Sequence, residues 1–194
     1  MPGPASFRPS AHGCRFANAQ TERTPIVLGP VPVARITGGL CGGMVLEALR
    51  TWERGMPRPG TDRHSMARVF AAQLRSFQIP SAPLRYLLLQ QPWAGARRLR
   101  TTERGRREIA AAVAVGRPTP VALVCALAMS PLALTRHHVV LAYDVIADDA
   151  DRTTLAIYDP NHPDADDVRL TLSPAGHRHS RGRTMHAAFA LRAR

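Results

Sequence analysis

The chain contains no lysine: all 26 basic residues of this 194-residue protein are arginine. This absence excludes enzymes that form a Schiff base on a lysine side chain, such as pyridoxal-phosphate enzymes and lysine-type aldolases. It also excludes P-loop nucleotide hydrolases, in which a lysine contacts the phosphates. The absence of lysine therefore excludes two large classes of enzyme.

Cysteine is also scarce, with three residues at wide spacing, Cys14, Cys41 and Cys125. An odd number at such spacing does not suggest a disulfide framework and predicts a reduced, cytoplasmic protein. Cys125 lies in an apolar run and is predicted to be a core residue, whereas Cys14 is predicted to be a free thiol in an irregular segment. Only the surroundings of Cys41 indicate a chemical role.

Long apolar runs are missing as well. No stretch of about 18 apolar residues occurs, which predicts that the chain does not cross a membrane. The first residues contain no apolar stretch of signal-peptide length, so export by that route is not expected. We therefore expect no membrane partner.

The net charge of +12 would suit a nucleic-acid-binding protein. Arginine in place of every lysine, however, is more typical of a coding bias than of selection for phosphate contacts. The densest basic stretch, residues 96–108, lacks the interleaved aromatic side chains on which single-stranded nucleic acids stack. We therefore predict no specific nucleic-acid partner.

Hydrophobic periodicity predicts helices in the first part of the chain. Residues 1–35 are predicted to be an irregular N-terminal arm, and residues 36–194 a single domain whose helical part spans about 41–116. Apolar residues at helical spacing predict a first helix from Cys41 to Arg54. Thr61 or Asp62 can cap a second helix. Its predicted core face comprises Met66, Val69, Phe70, Leu74 and Phe77. Two further helices are predicted at 83–91 and 102–115, with Gly116 just beyond the last.

Strands are predicted in the second part, from about 119 to 192. Compact apolar or alternating runs at 119–128, 137–146, 153–160, 168–173 and 184–192 favour strands. The acidic segment between the second and third runs predicts a hairpin connection. Residues 173–183 are predicted to form a loop. Helices followed by an antiparallel sheet predict an α+β fold.

Cys41 lies between two glycine pairs, in "ITGGLCGGM", at the predicted start of the first helix. A thiol at a helix N-terminus lies at the positive end of the backbone dipoles, which lowers its pKa and favours the thiolate. The neighbouring glycines are expected to let a substrate backbone approach closely. They also make the amide of Gly42 a candidate donor to a developing oxyanion.

A thiolate nucleophile needs an imidazole to share its proton and an acceptor to orient that imidazole. His138 opens one predicted strand and Asp159 closes the next, so a hairpin would place both at its open end. His137 competes with His138, but successive residues of a strand face opposite sides, so only one of them can face the site. His138 is favoured, and His137 is then expected to point outward. Asn161 is the alternative to Asp159.

Four segments in order carry a resemblance to a known family: "GLCGGM" heading a helix, then "GRPTPVALV", "HHVVLAYDV" and "IYDPNHP" on strands. Over about residues 35–165 the chain resembles the papain-like cysteine peptidase superfamily, closest to the bacterial group around the double-glycine leader peptidases. The resemblance implies Cys41 as nucleophile, His138 as base and Asp159 as the residue that orients the histidine. An aspartate before proline is typical of that group, which favours Asp159 and leaves Asn161 as a turn residue or substrate-binding candidate.

The chain departs from this family at one position. Papain-like enzymes usually carry an oxyanion-hole glutamine about six residues before the nucleophile, where this chain has Arg35. Loss of one oxyanion donor costs about 10²–10³ in rate. Arg35 is therefore either a substitute donor or a sign that the site is inactive.

No metal or cofactor is predicted. The acids at 159, 164, 166 and 167 lack the glycine and terminal glutamate of a calcium loop. His177, His179 and His186 match no zinc spacing with a cysteine pair.

The sequence thus predicts a cysteine-dependent hydrolase, a peptidase or amidase, that acts on a peptide or an acyl or amide substrate through a thioester acyl-enzyme. The alternatives are a catalytically silent binding or scaffold protein of the same fold, and an acyltransferase that uses the same cysteine. The sequence gives no oligomeric state.

Overall fold

A computed structural model describes residues 6–21, 25–28, 31–35, 39–78 and 81–192 of the chain, without the side chains of 21, 25–28 and 31–35. Five helices lie in this part: α1 Pro9–His12, α2 Cys41–Glu53, α3 Arg63–Ser76, α4 Ser81–Leu89 and α5 Gly95–Ala114. Two 3₁₀ turns span Asn18–Thr21 and Pro131–Arg136. A small antiparallel hairpin is formed by β1 Pro25–Leu28 and β2 Val31–Arg35.

The second half of the chain forms a six-stranded antiparallel sheet. Its strands are β3 Thr119–Val124, β4 His138–Asp148, β5 Thr153–Tyr158, β6 Arg169–Ser173, β7 Gly176–His179 and β8 Ala187–Ala190. They lie in the order β7-β6-β5-β4-β3-β8, and every neighbouring pair is antiparallel. Helices packed on an antiparallel sheet confirm the predicted α+β class.

The sheet is buried on both faces by different helices. On one face, α2 packs Val45 and Leu49 against strand residues that include Val139 and Leu141. On the other, Ile109 and Val113 of α5 pack against the alternate strand residues, among them Val121, Val140, Leu155 and Leu170. Because successive strand residues point to opposite faces, a strand buried on both sides reads as a continuous apolar run. This explains the compact runs that predicted β3 and β4.

The predicted helices occur close to their predicted bounds. Helix α2 begins at Cys41, as predicted, and α3 is capped by Asp62, whose side chain accepts a hydrogen bond from the Ser65 N–H at 3.0 Å. Helix α5 begins at Gly95, several residues earlier than predicted, and Gly116 follows its end with φ +73°. A positive φ is readily adopted by glycine, which makes it a common stop signal.

Two segments predicted to be irregular contain regular structure. The described part of 1–35 holds α1, a 3₁₀ turn and the β1–β2 hairpin, and Phe7 anchors the segment before α1. The ring of Phe7 lies 5.9 Å from that of Trp52 and 6.0 Å from that of Tyr158. In the predicted loop 173–183, Gly176–His179 forms β7 against β6. This edge strand is short and polar, so it carries no apolar alternation that a sequence pattern would reveal.

Within the described residues, no helix is both long and apolar enough to cross a membrane.

Candidate functional site

Cys41 is the first residue of α2, and the segment before it is fixed by the N-terminal part of the chain. The Leu40 N–H donates to Asn18 Oδ1 at 2.7 Å. The backbone N–H of Asn18 in turn donates to the Pro160 carbonyl at 2.8 Å. Pro160 directly follows Asp159, so Asn18 connects the thiol segment to the turn that carries the predicted carboxylate.

The β4–β5 hairpin brings His138 and Asp159 together. His138 opens β4 and Asp159 follows β5, and the register pairs Leu141 with Tyr158 near the open end of the hairpin. His138 Nε2 lies 2.6 Å from Asp159 Oδ1, and both side chains are buried. The short contact engages Nε2, so Nδ1 is the ring nitrogen left for a second partner.

That partner is the thiol of Cys41. Burial would raise the pKa of Cys41, but the charge of His138, a hydrogen bond to its side chain and the backbone amides of Val139 and Gly42 lower it below the ordinary value. Burial would likewise lower the pKa of His138, yet Cys41 and the hydrogen bond to Asp159 raise it to about 9. These opposite shifts are in the directions that favour a thiolate beside an imidazolium, because each charge stabilises the other.

A second histidine, His179 on β7, reaches the same carboxylate. Its Nε2 lies 3.2 Å from Asp159 Oδ2. Its Nδ1 accepts the Arg181 N–H at 3.2 Å, which places the proton on Nε2, toward the carboxylate. The approach to Oδ2 is too poorly aligned for a regular hydrogen bond, but in the described part of the chain neither atom has another partner.

Asp159 stays ionised in this buried setting. Burial would raise its pKa, but hydrogen bonds from His138 and the Asn161 backbone, together with the nearby His179 Nε2, hold the pKa far below its ordinary value. Sequence reasoning missed His179, because the residue lies in the predicted loop and was weighed only as a zinc ligand. No local signal identifies it, since its role depends on the pairing of β7 with β6.

The glycines after Cys41 lie close against α3. A Cβ at Gly42 would collide with the Ser76 side chain, and a Cβ at Gly43 with the Val69 carbonyl. Both glycines therefore allow α2 and α3 to approach closely. The amide of Gly42 is already directed at the Cys41 sulfur, which it helps to keep ionised.

Gln73 on α3 is a further residue that the sequence did not single out. Its Oε1 accepts the Gly43 N–H at 2.7 Å. A backbone N–H can only donate, so the atom of the Gln73 side chain that faces Gly43 is the oxygen. The NH₂ group therefore occupies the other position of the side-chain amide. Gln73 and Cys41 line the same cleft. The NH₂ group of Gln73 is therefore a candidate hydrogen-bond donor in the cleft that Cys41 also lines.

Arg35 and Asn161 are the other two residues predicted as oxyanion or substrate-binding candidates. Arg35 ends β2, and its side chain lies outside the described part of the structure. Asn161 donates its backbone N–H to Asp159 Oδ1 at 2.9 Å. In this position Asn161 shapes the turn and supports the carboxylate.

His137 does not point outward, contrary to the prediction. It is buried, its ring stacks on Tyr86 with centroids 4.7 Å apart, and Nδ1 accepts the Cys125 N–H at 3.2 Å. Nε2 therefore carries the proton and donates to Gln90 Oε1 at 2.9 Å. Burial lowers the pKa of His137 to about 4. The alternation argument failed because His137 precedes the strand instead of belonging to it.

An apolar cleft of about 440 Å³ opens beside Cys41, between the start of α2, α3, α4 and the turn before β4. Leu74 and Phe77 line it and are 56% and 41% exposed. Both were predicted to be core residues of α3. They lie on its apolar face, but that face extends beyond the buried interface with α2 and continues along the cleft.

The other two cysteines lack the features of Cys41. Burial raises the pKa of Cys14 to about 12 and that of Cys125 to about 11. Cys14, predicted to be a free thiol of an irregular arm, is unpaired but fully buried, with its sulfur 3.7 Å from the Met44 carbonyl oxygen. Among the three thiols, only Cys41 combines a lowered pKa with a neighbouring histidine.

Across the described ranges, no group of three or more histidine, cysteine, aspartate or glutamate side chains is arranged to hold a metal ion. In comparisons with known proteins, no family model, no curated protein and no solved structure matches the chain. Functional inference therefore rests on the geometry of Cys41, His138 and Asp159.

Proposed function

We propose that the protein is a papain-like cysteine-dependent hydrolase, a peptidase or amidase that works through a thioester acyl-enzyme. One observation carries the proposal: His138 Nε2 lies 2.6 Å from the buried Asp159, and the same imidazole lowers the pKa of the helix-start thiol of Cys41. Nucleophile, base and orienting acceptor in this order are the arrangement that activates a thiol for attack on a carbonyl.

In the first half-reaction, the Cys41 thiolate attacks the carbonyl carbon and forms a carbon–sulfur bond, while the carbonyl electron pair moves to oxygen. Collapse of this tetrahedral intermediate breaks the bond to the amine, which leaves with the proton of the His138 imidazolium. In the second half-reaction, the now neutral His138 takes a proton from water as the water attacks the thioester. Collapse releases the acid, and the thiolate and imidazolium are restored. Asp159 keeps the imidazole in the required tautomer throughout.

The oxyanion of both intermediates needs donors near Cys41. In this proposal the Gln73 NH₂ group supplies one, because its oxygen end is fixed to Gly43 and its residue lines the cleft. This assignment offers a functional replacement for the glutamine that the family carries where this chain has Arg35. Donors that are already oriented in a buried site stabilise the oxyanion without reorganisation at the moment of reaction.

Turnover of activated esters and of a peptide library tests the proposal. The wild-type protein and a Cys125→Ala control are expected to hydrolyse a shared substrate, whereas Cys41→Ala and His138→Ala are expected to lose that activity. Melting curves identify variants that fail to fold. If a folded wild-type protein shows no Cys41-dependent turnover, the proposal fails and the silent binding protein replaces it.

A further inference from the structure

The cleft beside Cys41 is lined almost entirely by apolar groups. No arginine, aspartate or glutamate is among its described lining residues, although the chain carries 26 arginines. Its walls include Leu40, Phe70, Leu74, Phe77, Pro83 and Leu134. A cleft of about 440 Å³ lies within the range of about 300–1,000 Å³ typical of small-ligand pockets. Large apolar side chains exposed at a concave surface favour an apolar ligand.

The polar side chains of the cleft mostly direct their donors into the protein. The Ser76 hydroxyl donates to the Gln73 carbonyl at 2.7 Å and the Thr135 hydroxyl to the Leu132 carbonyl at 3.0 Å. Both ring nitrogens of His137 are engaged by Cys125 and Gln90. A peptide bound along this surface would bury backbone N–H and C=O groups that need partners. A hydrocarbon chain has no such requirement.

We propose that the cleft binds the acyl part of the substrate and that this part is an unbranched hydrocarbon chain. If a methylene group takes up the ~30 Å³ that a water molecule occupies in the liquid, the cleft of about 440 Å³ accommodates roughly 15 carbons. Cys41 lines the cleft, so a thioester on its sulfur can extend its chain along Leu74 and Phe77. The inference rests on the proposed acyl-enzyme and specifies its substrate class.

A series of p-nitrophenyl esters from acetyl to decanoyl tests the chain-length preference. The measured quantity is the second-order rate constant for acylation of Cys41, obtained from the nitrophenolate burst at ester concentrations below micelle formation. Each buried methylene adds hydrophobic binding, so the constant is expected to rise at least about tenfold from acetyl to octanoyl. The same esters in buffer alone give the uncatalysed trend for comparison.

Two matched variants distinguish binding in the cleft from a general effect of ester hydrophobicity on the rate. Leu74→Asn is expected to reduce the chain-length dependence, measured as the ratio of the octanoyl to the acetyl rate constant. Leu88→Asn replaces a leucine that is 49% exposed and is not among the cleft residues, and it is expected to retain the full dependence. Both positions are exposed, so neither change is expected to unfold the protein.

The outcomes distinguish failure of the hydrocarbon-chain inference from failure of the proposed acyl-enzyme. Equal acylation by acetyl and octanoyl esters would overturn the hydrocarbon-chain inference and leave the acyl-enzyme intact. A faster reaction with a phenylalanine-containing peptide ester than with the octanoyl ester would assign the cleft to a side chain and likewise overturn it. Absence of acylation with every ester would overturn the proposed function itself.

Discussion

Burial ordinarily raises the pKa of a thiol, and Cys14 and Cys125 follow this rule. Cys41 departs from it because His138 supplies an opposite charge and two backbone amides point at the sulfur. His138 can stay protonated in turn because Asp159 accepts from its Nε2. At the scale of single residues, the charge of each of these buried groups is therefore stabilised by the charge of the next.

The pH dependence of Cys41 alkylation follows from these shifts. A lowered pKa keeps the thiolate present until the pH falls through that value, so iodoacetamide should label Cys41 faster than Cys125 at about pH 6–7. Substrate turnover should also decline as the pH rises through about 9, where His138 loses the proton needed by the leaving group. Mass spectrometry after timed labelling ranks the sites. A Cys41 that is labelled more slowly than Cys125 would contradict the ion pair.

The pKa shifts of Cys41 and His138 also make the folding stability depend on pH. The raised pKa of His138 stabilises the fold fully below its unfolded value of about 6.5, and this contribution is lost as the pH rises through about 9. The lowered pKa of Cys41 stabilises the fold above its unfolded value and loses this contribution as the pH falls through the folded value.

Gln73 can be tested as an oxyanion donor with an almost isosteric change. Gln73→Glu keeps an oxygen to accept the Gly43 N–H and removes the NH₂ donor. Ester acylation of Cys41 is expected to fall about 10²–10³-fold. Alkylation at the pH plateau forms no oxyanion and should change little. A parallel loss of both reactions would show that Gln73 serves only to position α2.

His179 is expected to act as a positioning residue through Asp159. His179→Gln retains an N–H that can face Oδ2, whereas His179→Leu leaves that buried oxygen without a partner. The leucine variant should lower kcat several-fold with little change in KM, and the glutamine variant should restore most of kcat. Steady-state kinetics on folded variants provide the measurement. An unchanged kcat in both would remove His179 from the site.

At the scale of elements, the close contact between α2 and α3 fixes the position of Cys41. Glu47 on α2 is fully buried and pairs with Arg68 on α3, with 2.6 Å between Oε1 and Nε. The Gly43 backbone donates to Gln73 in the same interface. The start of α2 is thus held by its neighbour, in addition to the hydrogen bond from Leu40 to Asn18.

Gly43→Ala should therefore destabilise the protein. The added Cβ would collide with the backbone carbonyl of Val69, which cannot move without shifting α3. Overpacking of this kind costs about 1–3 kcal/mol of unfolding free energy. Gly95→Ala at the start of α5 is a suitable control, because its Cβ would meet only the end of the Arg98 side chain at 3.8 Å. Equal urea midpoints for the two variants would contradict this account of the interface.

The sequence predicted the elements that bury one or two continuous apolar faces. Helix α2 and strands β3, β4 and β5 have such patterns, and they place Cys41, His138 and Asp159. It did not predict β7, because a short polar edge strand has no apolar alternation, and His179 was missed with it. It also misread Leu74 and Phe77, because an apolar helix face looks the same whether it packs in the core or lines a cleft.

At the scale of the whole molecule, several arginines of the basic stretch 96–108 have structural partners. Arg106 is buried, pairs with Glu103 at 2.8 Å and donates to the Ala150 carbonyl at the tip of the β4–β5 hairpin. Arg98 donates to carbonyls near the end of α4. These contacts connect α5 to neighbouring elements, so part of the positive charge stabilises the fold.

The central claim is that Cys41 becomes acylated, and mass spectrometry of the digested protein tests it most directly. The protein is mixed with excess p-nitrophenyl octanoate, quenched in acid within seconds and digested. The account predicts a single octanoyl adduct on the peptide that contains Cys41, absent from Cys41→Ala, retained in Cys125→Ala and lost over time as the thioester hydrolyses. A folded wild-type protein that carries no adduct at Cys41, or equal adducts at Cys41 and Cys125, would contradict the account.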